Sequence, residues 1–146
     1  MLRKIDDDLL EMAGLIVHQE NCVRARPAGL AKAIYDRFPD YDWDSMQRVP
    51  GTFARVGHVL TIFGQDKIGR TESPAARERW FAAALDALTE AVRTDETYAN
   101  LPISFPHGIG CGLAGGNWEH YLAMIEKFER DSGATVYIVR LPTAGN

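Results

Sequence analysis

The segment HGIGCGLAGGNW, residues 107–118, is the part of the sequence whose residue types could bind an anion. Five glycines fall within residues 108–116, and glycine costs backbone entropy, so such a run needs a physical reason. Gly-rich turns that lead from a strand into a helix gather backbone N–H groups, which bind phosphate without a lysine. We therefore expect a diphosphate to lie against the bare backbone of this segment.

Two well-known glycine motifs do not fit this segment. The GIGCG run is not followed by Lys and Ser or Thr, as a Walker A phosphate loop requires. The run also does not open the first strand–helix–strand unit of the chain, where a dinucleotide-binding fingerprint stands. On the pattern alone, a tight loop without a ligand stays open as an alternative.

A second polar segment is placed to face the same ligand. Residues 19–29 follow a short apolar run, GLIVH at residues 14–18, and precede a helical pattern. In open α/β sheets, ligands bind beyond the carboxyl ends of the parallel strands, where the strand-to-helix loops gather. We expect residues 19–29 and residues 106–116 to form the two sides of one site.

Apolar and β-branched runs predict the strands that carry these loops. They are LRKI near residue 2, GLIVH at 14–18, two strands in FARVGHVLTIF at 53–63, LPISF at 101–105 and ATVYIVRL at 134–141. Gly57 and His58 lie between the two strands of the third stretch, so we expect a tight antiparallel hairpin there.

Three amphipathic patterns predict helices between the strands. The first stops at Pro39, the second follows the N-cap and first-turn pair Ser73 and Pro74, and the third ends at Gly133. The residues predicted to face inward are Leu30, Ile34 and Phe38 in the first helix, Phe81, Leu85, Leu88 and Val92 in the second, and Leu122, Ile125 and Phe128 in the third. This alternation predicts one domain over residues 1–146, an α/β fold with a three-layer α/β/α sandwich and a mixed central sheet.

The composition excludes several classes of protein. A chain of 146 residues with 46% hydrophobic residues fits one globular domain, and no apolar run approaches the ~18 residues of a membrane span. A formal net charge of −4 argues against a nucleic-acid partner, which usually needs a basic face. Cys22 and Cys111 are too few for a disulfide framework and lack metal-ligand spacing, so we expect a cytoplasmic protein with no metal. We also expect no cofactor.

Three stretches together resemble the macrodomain family. They are DDLLEMAGLIVHQENC, PAGLAKAIYDRFP and PHGIGCGLAGGNW, which occur in the order of that family and spread over nearly the whole chain. The resemblance is to the compact bacterial and phage branch, which is related to ADP-ribosyl-glutamate hydrolases and ADP-ribose 1''-phosphate phosphatases. It implies a macrodomain-like sandwich with a pocket for ADP-ribose, and ADP-ribose or an ADP-ribosylated target as the partner.

The resemblance also implies which residues line that pocket. Asp8, with Leu9 beside it, matches the acidic residue that accepts from the adenine amino group, and Asn21 matches the asparagine that contacts the distal ribose. Each has a plainer interpretation, Asp8 as a solvated charge in an acidic run and Asn21 as a cap of its own loop. The residues that match the two phosphate loops are Ala28, Gly29 and Leu30 in the first, and Gly108, Ile109, Gly110, Cys111, Gly112 and Leu113 in the second.

The residues that would do chemistry depart from the family. The glutamate hydrolases have a lysine near the end of the strand after the hairpin, where this chain has Gln65, with Lys67 two residues on. Ala114 stands where that group has an aspartate, and Asn117 replaces the aspartate of GLAGGDW in close relatives. An amide is not a general base near neutral pH, whereas asparagine is a good helix N-cap. His107, beside the glycines, could polarise a water or reach a terminal phosphate.

Two functions stay open on the sequence. One is an enzyme that acts on ADP-ribosylated protein side chains or on ADP-ribose 1''-phosphate. Its catalytic candidates are His107, Lys67, Gln65 and Asn117. The alternative is a non-catalytic module that binds ADP-ribose or a related NAD metabolite. The first loop also carries Pro27, which removes an N–H donor, and Arg24 and Arg26, which we interpret as solvated.

Overall fold

The computed structural model of the chain describes residues 2–23, 27–67, 73–112 and 115–142. Its strands are β1 (Leu2–Asp6), β2 (Leu15–Asn21), β3 (Phe53–Val56), β4 (Val59–Gln65), β5 (Ile103–Pro106) and β6 (Val136–Arg140). They form one sheet in the order β1-β6-β5-β2-β4-β3. All neighbouring strands are parallel except β3 and β4, which form the antiparallel hairpin, so the predicted mixed sheet is confirmed.

Helices cover both faces of this sheet. They are α1 (Gly29–Arg37), α2 (Pro74–Thr94) and α3 (Trp118–Ser132). Ile34 of α1 packs in one apolar cluster with Ile16 of β2, whereas Leu88 of α2 and Ile125 of α3 pack in another with Val17. Ile16 and Val17 are consecutive in a strand and so point to opposite faces. The predicted three-layer α/β/α sandwich is therefore confirmed, with α1 on one face and α2 and α3 on the other.

Local sequence sets the helix ends. Ser73 Oγ accepts from the N–H of Ala76 at 3.1 Å, and Pro74 is the first residue of α2. α3 ends at Gly133, which has a left-handed φ of 73° and donates its N–H to the Glu129 carbonyl. Both ends lie where the sequence predicts them. Among the described helices, none is long and apolar enough to cross a membrane.

Two predictions near the first loop are wrong. β2 does not end at His18 but continues to Asn21, because Glu20 and Asn21 still pair with β4. Leu30 is 37% exposed, because it lies in the first turn of α1 beside the loop, one turn before Ile34 enters the core. The other residues predicted to face inward are buried or half-buried: Phe38, Phe81, Leu85, Leu88, Val92, Leu122, Ile125 and Phe128.

The order of the strands opens a crevice between β2 and β5. These two parallel strands are neighbours, yet β2 leads into α1 on one face of the sheet and β5 leads into α3 on the opposite face. Ligands of open α/β sheets bind at such reversals, beyond the carboxyl ends of the strands. The loop after β2 and the loop after β5 therefore leave the sheet side by side.

Candidate functional site

The glycine-rich segment leaves β5 as a series of tight turns. The N–H of Ile109 donates to the Pro106 carbonyl at 3.1 Å, and the N–H of Cys111 donates to the Gly108 carbonyl at 2.9 Å. Gly108 has a φ of 79°, in the left-handed region that favours glycine. Ile109 is buried in the core cluster on the α2 and α3 face. The start of the segment is thus fixed to the sheet by both hydrogen bonds and packing.

Two of the glycines are required by the protein itself. A Cβ on Gly110 would overlap the ring of Tyr121, and a Cβ on Gly116 would lie 2.7 Å from Tyr121 Cε1. Tyr121 is fully buried and packs on Phe81 with the ring centroids 4.7 Å apart, so the ring has no room to move aside. The N–H of Gly116 donates to the Gly110 carbonyl at 2.9 Å. Internal packing therefore accounts for these two glycines without a ligand.

Other glycines of the segment face open space. Apart from its chain neighbours, a Cβ on Gly108 or Gly112 would meet no atom of the described residues within 4 Å. Within the described part of the chain, the N–H groups of Gly108, Gly110 and Gly112 find no hydrogen-bond acceptor. Gly112 does not have a positive φ, so the backbone conformation does not require glycine there. Gly108 and Gly112 are thus the points where a ligand can reach bare backbone.

The loop after β2 begins with a turn and ends at a helix. Asn21 Oδ1 accepts from the N–H of Val23 at 2.9 Å, which is the plainer of its two interpretations and leaves its side-chain NH2 able to donate. At the other end, the cap residue of α1 is Ala28, which has no side-chain acceptor. Gly29 follows with a φ of 56° and an open Cα face, and Leu30 is exposed beside it. The N-terminus of α1 can therefore meet an anion with its own N–H groups.

The N-terminus of α3 differs, because a side chain caps it. Asn117 Oδ1 accepts from the N–H of Glu119 at 3.0 Å, which confirms the interpretation of Asn117 as an N-cap. Trp118 follows, and its ring lies 4.9 Å from the ring of His107. His107 is exposed and donates its backbone N–H to the Val139 carbonyl at 2.8 Å. Among the sequence candidates, His107 therefore sits at the surface where the glycine segment starts.

Asp8 lies, like the two loops, beyond the carboxyl ends of the parallel strands. Its Oδ1 accepts from the N–H of Leu10 at 3.0 Å and caps a short 3-10 helix, Leu9–Glu11, so Asp8 is more than a solvated charge. Leu9 is buried in the cluster on the α1 face. The N–H of Asp7 donates to the carbonyl of Arg140, the last residue of β6, at 3.1 Å. Because β6 is the neighbour of β5, Asp8 lies on the other side of the glycine segment from β2.

A bulge interrupts the pairing of β2 with β4 at the site. Glu20 pairs with Phe63 and Asn21 pairs with Gln65, so Gly64 is the extra residue of β4. Bulges bend a strand, disturb its hydrogen bonds locally and are common next to functional sites, where they re-aim side chains. Here the bulge changes the register at the point where β2 presents Asn21.

A chain of side-chain amides fills the space at this bulge. The Gln19 amide lies where a Cβ on Gly64 would stand, so any larger residue at position 64 would displace the Gln19 side chain from its present place. Gln19 Nε2 donates to Gln65 Oε1 at 3.2 Å, and Gln65 Nε2 donates to the Lys67 carbonyl at 2.6 Å. Gln65 is buried and the Lys67 side chain is exposed. Gln65 therefore uses both ends of its amide to hold the end of the strand.

A buried polar network lies on the α1 face of the same strand end. His18 Nε2 lies 2.9 Å from Thr61 Oγ1, and Glu20 accepts from the Tyr35 hydroxyl at 2.5 Å and from Arg48 Nη1 at 3.1 Å. Burial lowers the pKa of His18 to about 4, although the Glu20 carboxylate acts in the opposite direction. Burial and the bond to Glu20 raise the pKa of Tyr35. Both aromatic groups are therefore uncharged at neutral pH, and the charges of the network are those of Glu20 and Arg48.

The thiol of Cys111 is packed rather than activated. Its Sγ lies 3.5 Å from the Ile109 carbonyl, and the side chain packs against the core cluster. Burial raises the pKa of this thiol, which disfavours the thiolate form that reacts as a nucleophile. Other residues singled out in the sequence lie outside the described residues: Arg24, Arg26, Leu113 and Ala114.

Sequence reasoning missed Arg48, Tyr35 and Gln19. Arg48 is a lone basic residue in the polar stretch DWDSMQRVP, and Tyr35 lies in an ordinary amphipathic pattern, so neither carries a local signal. Gly64 is the one usable sign, because a glycine inside an apolar strand such as VLTIFGQ suggests a bulge or a close approach.

Comparisons with known proteins identify the fold. No family model matches the sequence, and no curated protein matches it either. The macrodomain of Mycobacterium tuberculosis DarG is 19% identical and covers 98% of this chain and 99% of its own, with a TM-score of 0.77. The macrodomain of Thermus aquaticus DarG is 19% identical over 97% of this chain and 99% of its own, with a TM-score of 0.73. Thermosipho africanus DarTG in complex with ADP-ribose is 16% identical over 99% of this chain and 43% of its own, with a TM-score of 0.70. The chain therefore has the macrodomain fold.

Proposed function

We propose that the chain binds ADP-ribose along the carboxyl edge of the sheet, across the crevice between β2 and β5. In this proposal, Asp8 accepts from the adenine amino group and Asn21 contacts the distal ribose. The diphosphate lies on the backbone N–H groups of the two loops, near Gly29 and Gly112. A chain of net charge −4 then holds an anion with oriented amides and a helix end instead of a basic surface.

One feature carries the proposal: two loops from neighbouring strands each present a glycine whose Cα faces open space. Among the described residues, a Cβ on Gly29 or Gly112 meets no atom within 4 Å beyond its chain neighbours, whereas the Tyr121 ring occupies that space at Gly110 and Gly116. At Gly112, neither an atom of the described part of the chain nor a positive φ requires glycine. A ligand against the backbone is the explanation that we favour for a residue without a side chain at this position.

A structure of the same fold supports the choice of ligand. Thermosipho africanus DarTG holds ADP-ribose, and this chain is similar to part of it. The two loops and the turn at Asp8 lie along one edge of the sheet, which suits an extended ligand with an adenine at one end and a second ribose at the other. ADP-ribosylated proteins and ADP-ribose 1''-phosphate carry the same group and are included in the proposal.

We place binding ahead of turnover. Gln65 and Asn117 use their amides to hold the end of β4 and to cap α3, and an amide is not a general base near neutral pH. His107 and Lys67 are exposed and are the candidates left for a reaction. Release of ADP-ribose from a glutamate-modified protein, and of phosphate from ADP-ribose 1''-phosphate, measures turnover directly. Binding without either release would assign the chain as a recognition module.

Parallel calorimetric titrations with ADP-ribose and AMP test the proposed ligand. AMP lacks the second phosphate and the second ribose. We therefore expect it to bind at least ~1.4 kcal/mol less tightly than ADP-ribose, which is tenfold in affinity. Equal affinities for the two ligands would contradict the proposed arrangement of the loops.

Gly112→Val tests the proposed position of the diphosphate. The branched side chain would enter the space over the backbone, where a Cβ meets no atom of the described residues beyond its chain neighbours, so we expect ADP-ribose binding to be lost and the unfolding transition to stay near wild type. Thr135→Val is the matched control, because it places the same side chain at an exposed position just before β6. This position lies at the amino ends of the parallel strands, away from the proposed site. Retained affinity in Gly112→Val would show that the second loop does not cradle the ligand.

A further inference from the structure

Arg48 joins three groups at the end of β2. Its Nη1 donates to Glu20 Oε1 and to the Asn21 carbonyl, both at 3.1 Å, and its Nη2 lies 3.4 Å from the Tyr35 hydroxyl. The Arg48 side chain is 14% exposed and that of Glu20 is 10% exposed. A planar guanidinium with several acceptors around it is held in one orientation, unlike a solvated surface arginine.

The segment that carries Arg48 is itself fixed. Met46 is 5% exposed, and the N–H of Gly51 donates to the Phe63 carbonyl of β4 at 2.8 Å. The Arg48 guanidinium also lies over the Phe63 ring, 5.6 Å from its centroid. Arg48 therefore reaches the end of β2 from a segment that is anchored to the neighbouring strand.

Net stability is a weak reason for this arrangement. Arg48 and Glu20 are largely withdrawn from water and so lose hydration free energy. The attraction between their charges only roughly offsets this loss. The Arg48 bond to the Asn21 carbonyl falls where the register of β2 on β4 shifts, between Glu20 and Asn21. A bulge disturbs the hydrogen bonds between strands, so Arg48 bonds to β2 where its pairing with β4 is disturbed.

We propose that Arg48 is a positioning residue for the ligand: it fixes the peptide of Asn21 and, through the turn to Val23, the entrance of the first loop. The inference rests on the proposed function, because Asn21 is the residue proposed to contact the distal ribose. Rotation of the Asn21 peptide would carry its side-chain amide away from that ribose, while the second loop at Gly112 would stay in place. Loss of Arg48 therefore weakens a ligand with a distal ribose more than a ligand without one.

Arg48→Met and Arg55→Met form a matched pair for the binding test. Arg55 also donates to two carbonyls, those of Gly57 at 3.1 Å and Thr97 at 3.2 Å. It lies on β3 opposite Leu60, near the start of β4, whereas the site lies at the other end of β4. We expect Arg48→Met to weaken ADP-ribose binding about tenfold or more and AMP binding less than about threefold by calorimetry. Arg55→Met should leave both affinities within about threefold of wild type.

Hydrogen exchange gives a readout that needs no ligand. The N–H of Val23 is bonded to Asn21 Oδ1, so its exchange reports whether the turn is held. We expect this exchange to speed up about tenfold or more in Arg48→Met, beyond any change in global stability, and to be unaffected in Arg55→Met. If Arg48→Met does not fold, Arg48→Lys replaces it. The lysine keeps the charge beside Glu20, but its single nitrogen, on a shorter side chain, does not reproduce the contacts that Nη1 makes with Glu20 and the Asn21 carbonyl while Nη2 lies beside the Tyr35 hydroxyl.

The outcomes separate the two proposals. Equal losses of ADP-ribose and AMP affinity in Arg48→Met, or no loss of either, would overturn the positioning role. Unchanged Val23 exchange would overturn it as well. A wild-type chain that binds neither ligand would refute the proposed function alone, and Val23 exchange would then decide whether Arg48 holds Asn21.

Discussion

Gly110→Ala should destabilise the fold, because the glycine segment is closed onto Tyr121. The new methyl would stand 2.8 Å from Tyr121 Cδ2 and closer still to Cε2, whereas carbon atoms in contact prefer about 3.5–4.0 Å. The ring would have to move by roughly an ångström against Phe81, and overpacking of a core typically costs about 1–3 kcal/mol. Gly110 also has a φ of 80°, and the left-handed conformation costs a residue with a Cβ about 1–2 kcal/mol. We expect a total loss of about 2–5 kcal/mol.

Denaturant unfolding, followed by circular dichroism and extrapolated to water, measures this loss without a ligand. Gly112→Ala is the control from the same segment, because its Cβ meets no atom of the described residues beyond its chain neighbours within 4 Å, and its φ is not positive. Its free energy of unfolding should stay within about 0.5 kcal/mol of wild type, as for other surface changes. Equal losses in Gly110→Ala and Gly112→Ala, or a loss below about 1 kcal/mol in Gly110→Ala, would refute the division of the glycines into packed and open ones.

Two further predictions concern the ends of the strands and helices around the site. Asn117→Ala should cost about 1 kcal/mol of unfolding free energy through the lost cap of α3, and Asn117→Asp should cost little, since a carboxylate also accepts the Glu119 N–H. A large loss in Asn117→Asp would contradict the cap. Burial lowers the pKa of His18 from 6.5 to about 4, so the unfolded chain binds this proton more readily in that range. The contribution of uncharged His18 to the free energy of unfolding should be fully present above pH 6.5. It should fall by about 3 kcal/mol as the pH is lowered to 4. His18→Gln should reduce this pH dependence, and identical pH profiles of unfolding would refute the assignment.

The fold could be predicted from the sequence because the residues that define its helices and strands act locally. Ser73 and Pro74, Asn117 and Gly133 each act within a few residues of the helix end that they define. The apolar runs of the strands follow from burial of the sheet between two helical layers. Leu30 shows the limit of this reasoning: its place on the helical stripe is right, but whether a first-turn residue reaches the core depends on where the helix starts relative to the sheet.

The site could be predicted only in part from the sequence, because its supporting contacts join distant parts of the chain. Arg48 bonds to Glu20 across 28 positions, and Gln19 bonds to Gln65 across 46 positions. No local periodicity links such pairs, and the bulge that brings Gln65 opposite Asn21 is a feature of strand pairing. The glycines were noticed at once, but spacing cannot separate those that Tyr121 requires from those that face open space.

The two helix N-termini at the site differ in how well they can stabilise the negative charge of the proposed diphosphate. α3 begins at a capped end, where the Asn117 side chain already takes the Glu119 N–H. α1 begins at Gly29 after Ala28, which offers no side-chain acceptor. An anion gains about 0.3–1 kcal/mol at a helix N-terminus, and only within its first turn. We therefore assign the proposed diphosphate to the α1 side of the crevice, with the amides of the glycine segment closing over it from β5. On this assignment, the added charge of Asn117→Asp should leave ADP-ribose affinity nearly unchanged. A marked loss of affinity in that variant would move the diphosphate to the α3 side.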